Sequence, residues 1–294
     1  MIECIPNISE GRNQQTLDAI TRAIRRTGAH VLDLHIDADH HRSVVTLVGE
    51  SEAVFDGVLA MEAEARDRID LRVHRGVHPR LGAVDVIPFV PLEGSDMSEC
   101  IDLAQRVGRA IADRLGIPVY LYAQAASSET RRDLATIRRG EFEGLPKKMA
   151  DPEWAPDFGP REPHPTAGAS VVGARNSLVA YNVVLDSDLP IAREIASTLR
   201  GSNGGLKGVK ALGLPLASRG LVQVSMNLTD ISATGLALAY EGVAREATLR
   251  GVGVVGSELV GLVPRMGTQG ATTESLRLDR DLEDAVLENR MATR

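Results

Sequence analysis

The stretch AVDVIPFVPLEGSDMSECIDLAQRVGRAIADRLGIPVYLYAQA, residues 83 to 125, decides the fold class. It begins as a continuous apolar run, as a strand buried on both faces does, and is closed by Pro91 and the turn residues EGSD. Asp96 and Glu99 have the spacing of a helix capping box. Met97, Ile101, Ala104, Val107, Ile111 and Leu115 then follow helical spacing up to Gly116, which suits a C-terminal cap. IPVYLYAQA is the next strand. The order strand, helix, strand is a β-α-β unit, so the chain is read as α/β.

Upstream, Leu17, Ile20 and Ile24 predict a helix that starts after Asn13 and closes near Gly28. VLDLHID and SVVTLVG are strand-like, and residues 51 to 69 form a second helix. Downstream, SLVAYNVVLD, the helix PIAREIASTLR, two strands turning at Arg219-Gly220, the helix TGLALAYEGVAREATLRG and the strand GVGVVGSELVGLVP follow in turn. The order helix, strand, turn, strand, helix therefore occurs twice, over 14–69 and 190–250. This predicts two similar sheet-plus-helix subdomains, 1–176 and 177–294, with mixed β-sheets facing each other across a central cleft. The charged tail from Arg265 is expected to be loosely held.

With 294 residues, 43% of them hydrophobic, the chain can bury one large core or two modest ones. A formal charge of -7 gives no overall attraction to nucleic acid or an anionic membrane. No segment approaches the roughly 20 apolar residues of a membrane helix, and the opening MIECIPNIS has no basic n-region, so a cytoplasmic protein is expected. Cys4 and Cys100 stand apart in apolar settings and are read as packing residues.

Chemistry concentrates in three places. RVHRGVHPRLGAVD, 72 to 85, carries His74 and His78 among Arg72, Arg75 and Arg80. A loop histidine by default caps a turn, but Gly76 and Pro79 fix the backbone here, as suits a preorganised acid/base. Asp85 would orient or polarise an imidazole. HIDADHHR, 35 to 42, spells the Asp-His-His of DHH phosphoesterases and would suit a divalent metal. The further aspartate motifs of those enzymes are absent, and a wet hairpin loop explains the same residues. The proline-rich DPEWAPDFGPREPHPTAGA, 151 to 169, has no periodicity, and Trp154 and Phe158 favour a binding loop over a linker. GSNGGLKG, 201 to 208, lacks the phosphate-loop pattern and is read as a turn.

CIPNISEGRN, RGVHPRLGAVDVIPFVP, GIPVYLY, EWAPDFGP, VKALG, QVSMNLTD and GSELVGLVP resemble, in that order, the formiminotransferase domain family over residues 2 to 264. The resemblance implies two α/β subdomains facing across a charged tunnel, usually as a homodimer. It implies transfer of the formimino group of N-formimino-L-glutamate to N5 of tetrahydrofolate in histidine degradation, with release of L-glutamate. Transfer of a formyl group between 5-formyltetrahydrofolate and glutamate is the alternative on the same site. A metal-dependent DHH-type phosphoesterase and a non-catalytic folate binder are more distant ones. His78 falls on the family's catalytic histidine, with Arg42, His74, Arg80 and Asp85 in support. Gly159, Pro160, Arg161, Glu162, Pro163, His164, Pro165, Thr166, Ala167 and Gly168 fall on its folate-binding loop. The stretch DHHR carries His41 where many relatives carry Asn. Tetrahydrofolate is the expected co-substrate, no metal is expected, and a separate cyclodeaminase would take the product.

Overall fold

The computed structural model describes residues 1–293, which fall into two compact units divided between Asn176 and Ser177. The first unit opens with β1 (Ile2–Cys4) and β2 (Asn7–Ile8), two pieces of one strand position interrupted at Ile5-Pro6. It continues with α1 (Gln14–Arg25), β3 (His30–Asp37), β4 (Arg42–Gly49), α2 (Ser51–Arg68), β5 (Val84–Pro91), α3 (Met97–Leu115), β6 (Val119–Ala123), α4 (Leu134–Arg138), α5 (Glu141–Met149) and β7 (Ser170–Ala174). β3 pairs β4, and β4 pairs both β1 and β2, which in turn pair β5, all antiparallel. β7 then inserts between β5 and β6 and runs parallel to both, completing a seven-stranded mixed sheet.

The expected caps act locally. Asp96 accepts from the Glu99 amide at 2.9 Å, and Gly116 closes α3 in the left-handed conformation that glycine adopts without a Cβ clash. The core of this unit gathers Ile20, Val58, Met61, Phe89, Val107 and Ile111, with buried, unbridged Cys4 and Cys100 among them.

The second unit runs β8 (Val179–Asp186), α6 (Leu189–Leu199), β9 (Val209–Leu216), β10 (Leu221–Leu228), α7 (Leu236–Leu249) and β11 (Gly253–Val260). Its sheet has the order β11-β8-β10-β9, the split β-α-β-β-α-β arrangement. The first unit repeats that arrangement with β1 and β2 together as the first strand. One expectation is corrected: this sheet is antiparallel throughout rather than mixed. The helix α6 does cross between two strands, but the tight turn at Arg219-Gly220 folds β10 back between them, so no parallel neighbours remain.

The tail also departs from expectation. It adds α8 (Thr273–Leu276) and α9 (Leu287–Ala292), and buries Leu276, Leu282, Ala285 and Val286 in the second unit. Its apolar residues are too sparse and irregular to announce an element, yet Leu276, Leu282 and Ala285 join the core of the unit and Val286 bridges Val263. Among the described residues, no helix is long and apolar enough to cross a membrane.

Candidate active site

Three chain segments of the first unit converge on one small pocket: the end of β2, the β3–β4 turn, and the loop that leads from α2 into β5. Arg42, His74, His78, Arg80 and Asp85 all line it, as do Asn7, Ser9 and His40. Backbone approaches this close require glycine. A Cβ on Gly76 would lie 2.3 Å from the His40 carbonyl oxygen, and one on Gly11 would lie 2.1 Å from that of Asp37. Ser9 adds a hydrogen bond from its hydroxyl to the Gly82 carbonyl at 2.7 Å. Glu10 accepts from the amides of Gly11, Arg12 and Asn13 at 2.8 to 2.9 Å, and its carboxylate also meets His41 Nε2 at 3.2 Å. Burial opposes ionisation of Glu10, but these bonds outweigh it and hold its carboxyl below the usual range.

His78 is half-buried, and Nη1 of Arg42 donates to its Nε2. That bond leaves the lone pair on Nε2, so the imidazole is neutral with its proton on Nδ1, facing the Pro79 backbone. Burial pushes its pKa well below the ordinary histidine value, and the cations Arg42 and Arg138 push it further. His40 approaches from the other side, the ring centroids 6.2 Å apart. Burial likewise lowers Arg42 to about 10, with repulsion from Arg138 added. Among the described residues, Arg42 has no carboxylate within ion-pair distance. An unneutralised guanidinium beside a neutral base is a seat for an anion.

The other sequence-derived candidates play different parts. His74 is buried, donates from Nε2 to the His41 carbonyl at 2.8 Å, and accepts from Arg80 Nε at 3.3 Å, so both ring nitrogens are engaged. Its ring stacks on His41 at 4.0 Å between centroids. Arg80 grips Glu143 through two bonds of 2.7 and 2.8 Å and Glu141 at 3.2 Å, fastening the loop to α5. Arg72 pairs with Asp70 and Arg75 with backbone carbonyls, both at the surface. Asp85 touches no imidazole: it accepts from the Leu81 amide at 2.6 Å and from Arg138. Arg138 lay outside the sequence reading, in a polar stretch with no periodicity to mark it.

The histidines of the Asp-His-His loop are engaged by Asp37, Arg75 and Glu10. Asp37 takes the His40 amide at 2.9 Å and its Nδ1, while His41 donates from Nδ1 to the Arg75 carbonyl at 3.0 Å. His41 sits at φ 51, a left-handed conformation that asparagine tolerates better than most residues.

None of the ten residues Gly159–Gly168 lines this pocket. The loop enters through Asp157, which accepts from Leu121 N–H and from buried Arg131, both at 2.8 Å. Phe158 packs against α3 and Trp154 under the Lys148 ammonium. Gly159, Pro160, Arg161 and Glu162 are exposed, whereas Ala167 and Gly168 are buried. The loop leaves through a His164–Gly168 turn bridged to Gly82, four residues beyond His78.

Comparison with known proteins supplies the family. The model of the formiminotransferase domain, N-terminal subdomain, matches residues 1–175, and that of the formiminotransferase domain matches 180–273. A glutamate formimidoyltransferase of Streptococcus pyogenes is 42% identical over 294 residues, 99% of this chain and 98% of that protein. One of Thermoplasma acidophilum is 44% identical over 295 residues, 99% of this chain and 97% of its own. The formimidoyltransferase-cyclodeaminase of Sus scrofa is 46% identical over 271 residues, which cover 90% of this chain but 50% of that longer protein. Likeness across both units, at this identity and almost end to end, makes the chain a member of the formiminotransferase domain family.

Proposed function

We propose that the chain transfers the formimino group of N-formimino-L-glutamate to N5 of tetrahydrofolate and releases L-glutamate. The observation that carries this reading is a neutral His78 at the pocket whose unprotonated Nε2 accepts from Arg42, in a chain matching glutamate formimidoyltransferases along nearly its whole length. His78 takes the N5 proton as the bond from N5 to the formimino carbon forms. It then returns that proton to the glutamate nitrogen as the old carbon–nitrogen bond breaks, so one group serves as base and acid. Arg42 holds an anionic group of the substrate. His74 and Arg80 fix the loop that carries His78, and Asp85 fixes Arg138. The exposed span Gly159–Glu162 and the turn His164–Gly168 form the folate-binding loop, held at both ends as described. The reading includes a cytoplasmic homodimer, no metal, and a separate cyclodeaminase for the product.

The test is turnover with tetrahydrofolate and either N-formimino- or N-formyl-L-glutamate, with and without a chelator. Chelator-resistant transfer from the formimino donor, reduced about 10²- to 10⁴-fold in His78→Ala, is expected. Wild-type turnover in that variant would overturn the assignment of His78, and preference for the formyl donor would overturn that of the substrate.

A further inference from the structure

Arg138 reaches the site on α4, a helix of five residues that cannot hold itself in water. Three ties place it. Asp133 caps its first turn through the Ala135 amide at 3.2 Å, Ile137 is fully buried, and Lys148 Nζ donates to the carbonyls of Thr136 and Ile137. So placed, the guanidinium donates from Nη2 to Asp85, while its Nε is buried with no partner. A buried donor left unmatched in a native protein calls for an explanation. Arg42 gives one part of it. Two guanidiniums stand beside a neutral imidazole: Asp85 pairs with Arg138, Asp37 is taken up by His40, and Arg42 is left with neither as an ion-pair partner.

The transfer reaction, on which this inference rests, decides which anion would fit. His78 must reach the nitrogen of the departing glutamate. The α-carboxylate sits on the carbon that bears that nitrogen, whereas the γ-carboxylate lies two methylenes further along. The glutamyl tail of the folate lies at the far end of the acceptor from N5. A guanidinium in contact with His78 therefore meets the α-carboxylate. We propose that Arg138 and Arg42 together seat the α-carboxylate of the donor, and that its arrival draws Arg42 off Nε2 of His78 and frees the base. No covalent bond changes in this step; an ion pair replaces a cation-to-imidazole hydrogen bond. Arg42, Arg138 and His40 are the charged and titratable groups facing His78, and neutralising the two arginines makes the imidazole a stronger base as the donor binds.

The experiment compares three donors, N-formimino-L-glutamate, its α-amide and its γ-amide, in wild type, Arg138→Gln and Arg138→Lys. Wild type should lose roughly 10- to 100-fold in kcat/KM on the α-amide, the worth of a charge-assisted contact, and far less on the γ-amide. Arg138→Gln should lose a similar factor on the natural donor, discriminate little between it and the α-amide, and keep the KM for tetrahydrofolate. Arg138→Lys should recover part of the discrimination. Equal losses on all donors in Arg138→Gln would make Arg138 a purely structural residue and overturn the proposal, as would stronger discrimination at the γ position. Absence of transfer from every donor in wild type would instead overturn the transferase reading. The anion seat is then judged by NMR of ¹⁵N-labelled histidines titrated with L-glutamate. Movement of His78 in wild type but not in Arg138→Gln supports the seat, and an unmoved His78 in wild type refutes it.

Discussion

Glu62 lies on the inner face of α2 beside Val58, Met61 and Ala65, and only 1% of it is exposed. Its Oε1 accepts from the Ser170 hydroxyl at 2.7 Å, and its Oε2 is buried with no partner. Burial raises its pKa from 4.5 to about 8, against smaller opposing effects of the Ser170 bond and Arg66. The sign follows from linkage. Below pH 4.5 the carboxyl is protonated folded or unfolded, and the fold pays no penalty. Between pH 4.5 and about 8 the unfolded chain releases the proton and the folded chain keeps it, so stability falls by about 1.36 kcal/mol per pH unit. About 3 kcal/mol is thus lost at pH 7 and about 5 by pH 8. Glu62→Gln keeps an acceptor for Ser170 and removes the ionisation. The variant should match wild type within about 1 kcal/mol at pH 5 and exceed it by about 3 kcal/mol or more at pH 8. Urea unfolding read by Trp154, the chain's one tryptophan and a residue of the same unit, measures this directly. A stability gap that stays constant from pH 5 to pH 8 would refute the argument.

Two further outcomes can be checked with the same protein. Because His78 is held well below the ordinary histidine value, first by burial and then by Arg42 and Arg138, it stays neutral to lower pH than a free imidazole. The acid limb of kcat/KM should therefore lie below the ordinary histidine value of 6.5, and a limb at 6.5 or above would contradict it. Asp157→Ala removes the carboxylate partner of Arg131, whose side chain is 9% exposed, and should cost about 3 kcal/mol of stability, together with a raised KM for tetrahydrofolate, because the proposed folate loop is anchored there. An unchanged urea midpoint would show that the pair is dispensable.

What could be read from the sequence was whatever each residue reports about its own neighbours along the chain. The spacing of Met97, Ile101, Ala104, Val107 and Ile111 gives α3, and alternating hydrophobic runs give the strands, so the doubled helix-strand-strand-helix order was visible. Strand order was not, because it depends on where β10 folds back, and a turn at Gly220 does not say which strand it returns beside. His78, which lines the pocket, stood out in the sequence because Gly76 and Pro79 bracket it. Arg138 did not, because its partner Asp85 is 53 residues away and α4 is too short for a period. The partner of Arg80 was hidden for a similar reason: nothing beside it in sequence announces Glu143, which occupies it. The aromatic residues Trp154 and Phe158, read as signs of a binding loop, anchor the stretch by packing under Lys148 and against α3 and do not line the pocket.

The same distinction separates the charge of the chain from the charge of its site. A formal charge of -7 describes the surface, where ions screen it beyond a Debye length of about 8 Å. Arg42 and Arg138 are shielded from that screening, and a charge in a low-dielectric pocket acts more strongly than several in water. An acidic protein can therefore select an anionic donor without attracting polyanions to its surface. The cost is repulsion between the two guanidiniums, kept tolerable by Asp85, which is 2% exposed and placed by the Leu81 amide. Asp85 belongs to β5, the opening strand of the β-α-β unit that fixes the fold class. The strand that organises the sheet also holds the carboxylate that lets two cations stand beside one neutral histidine.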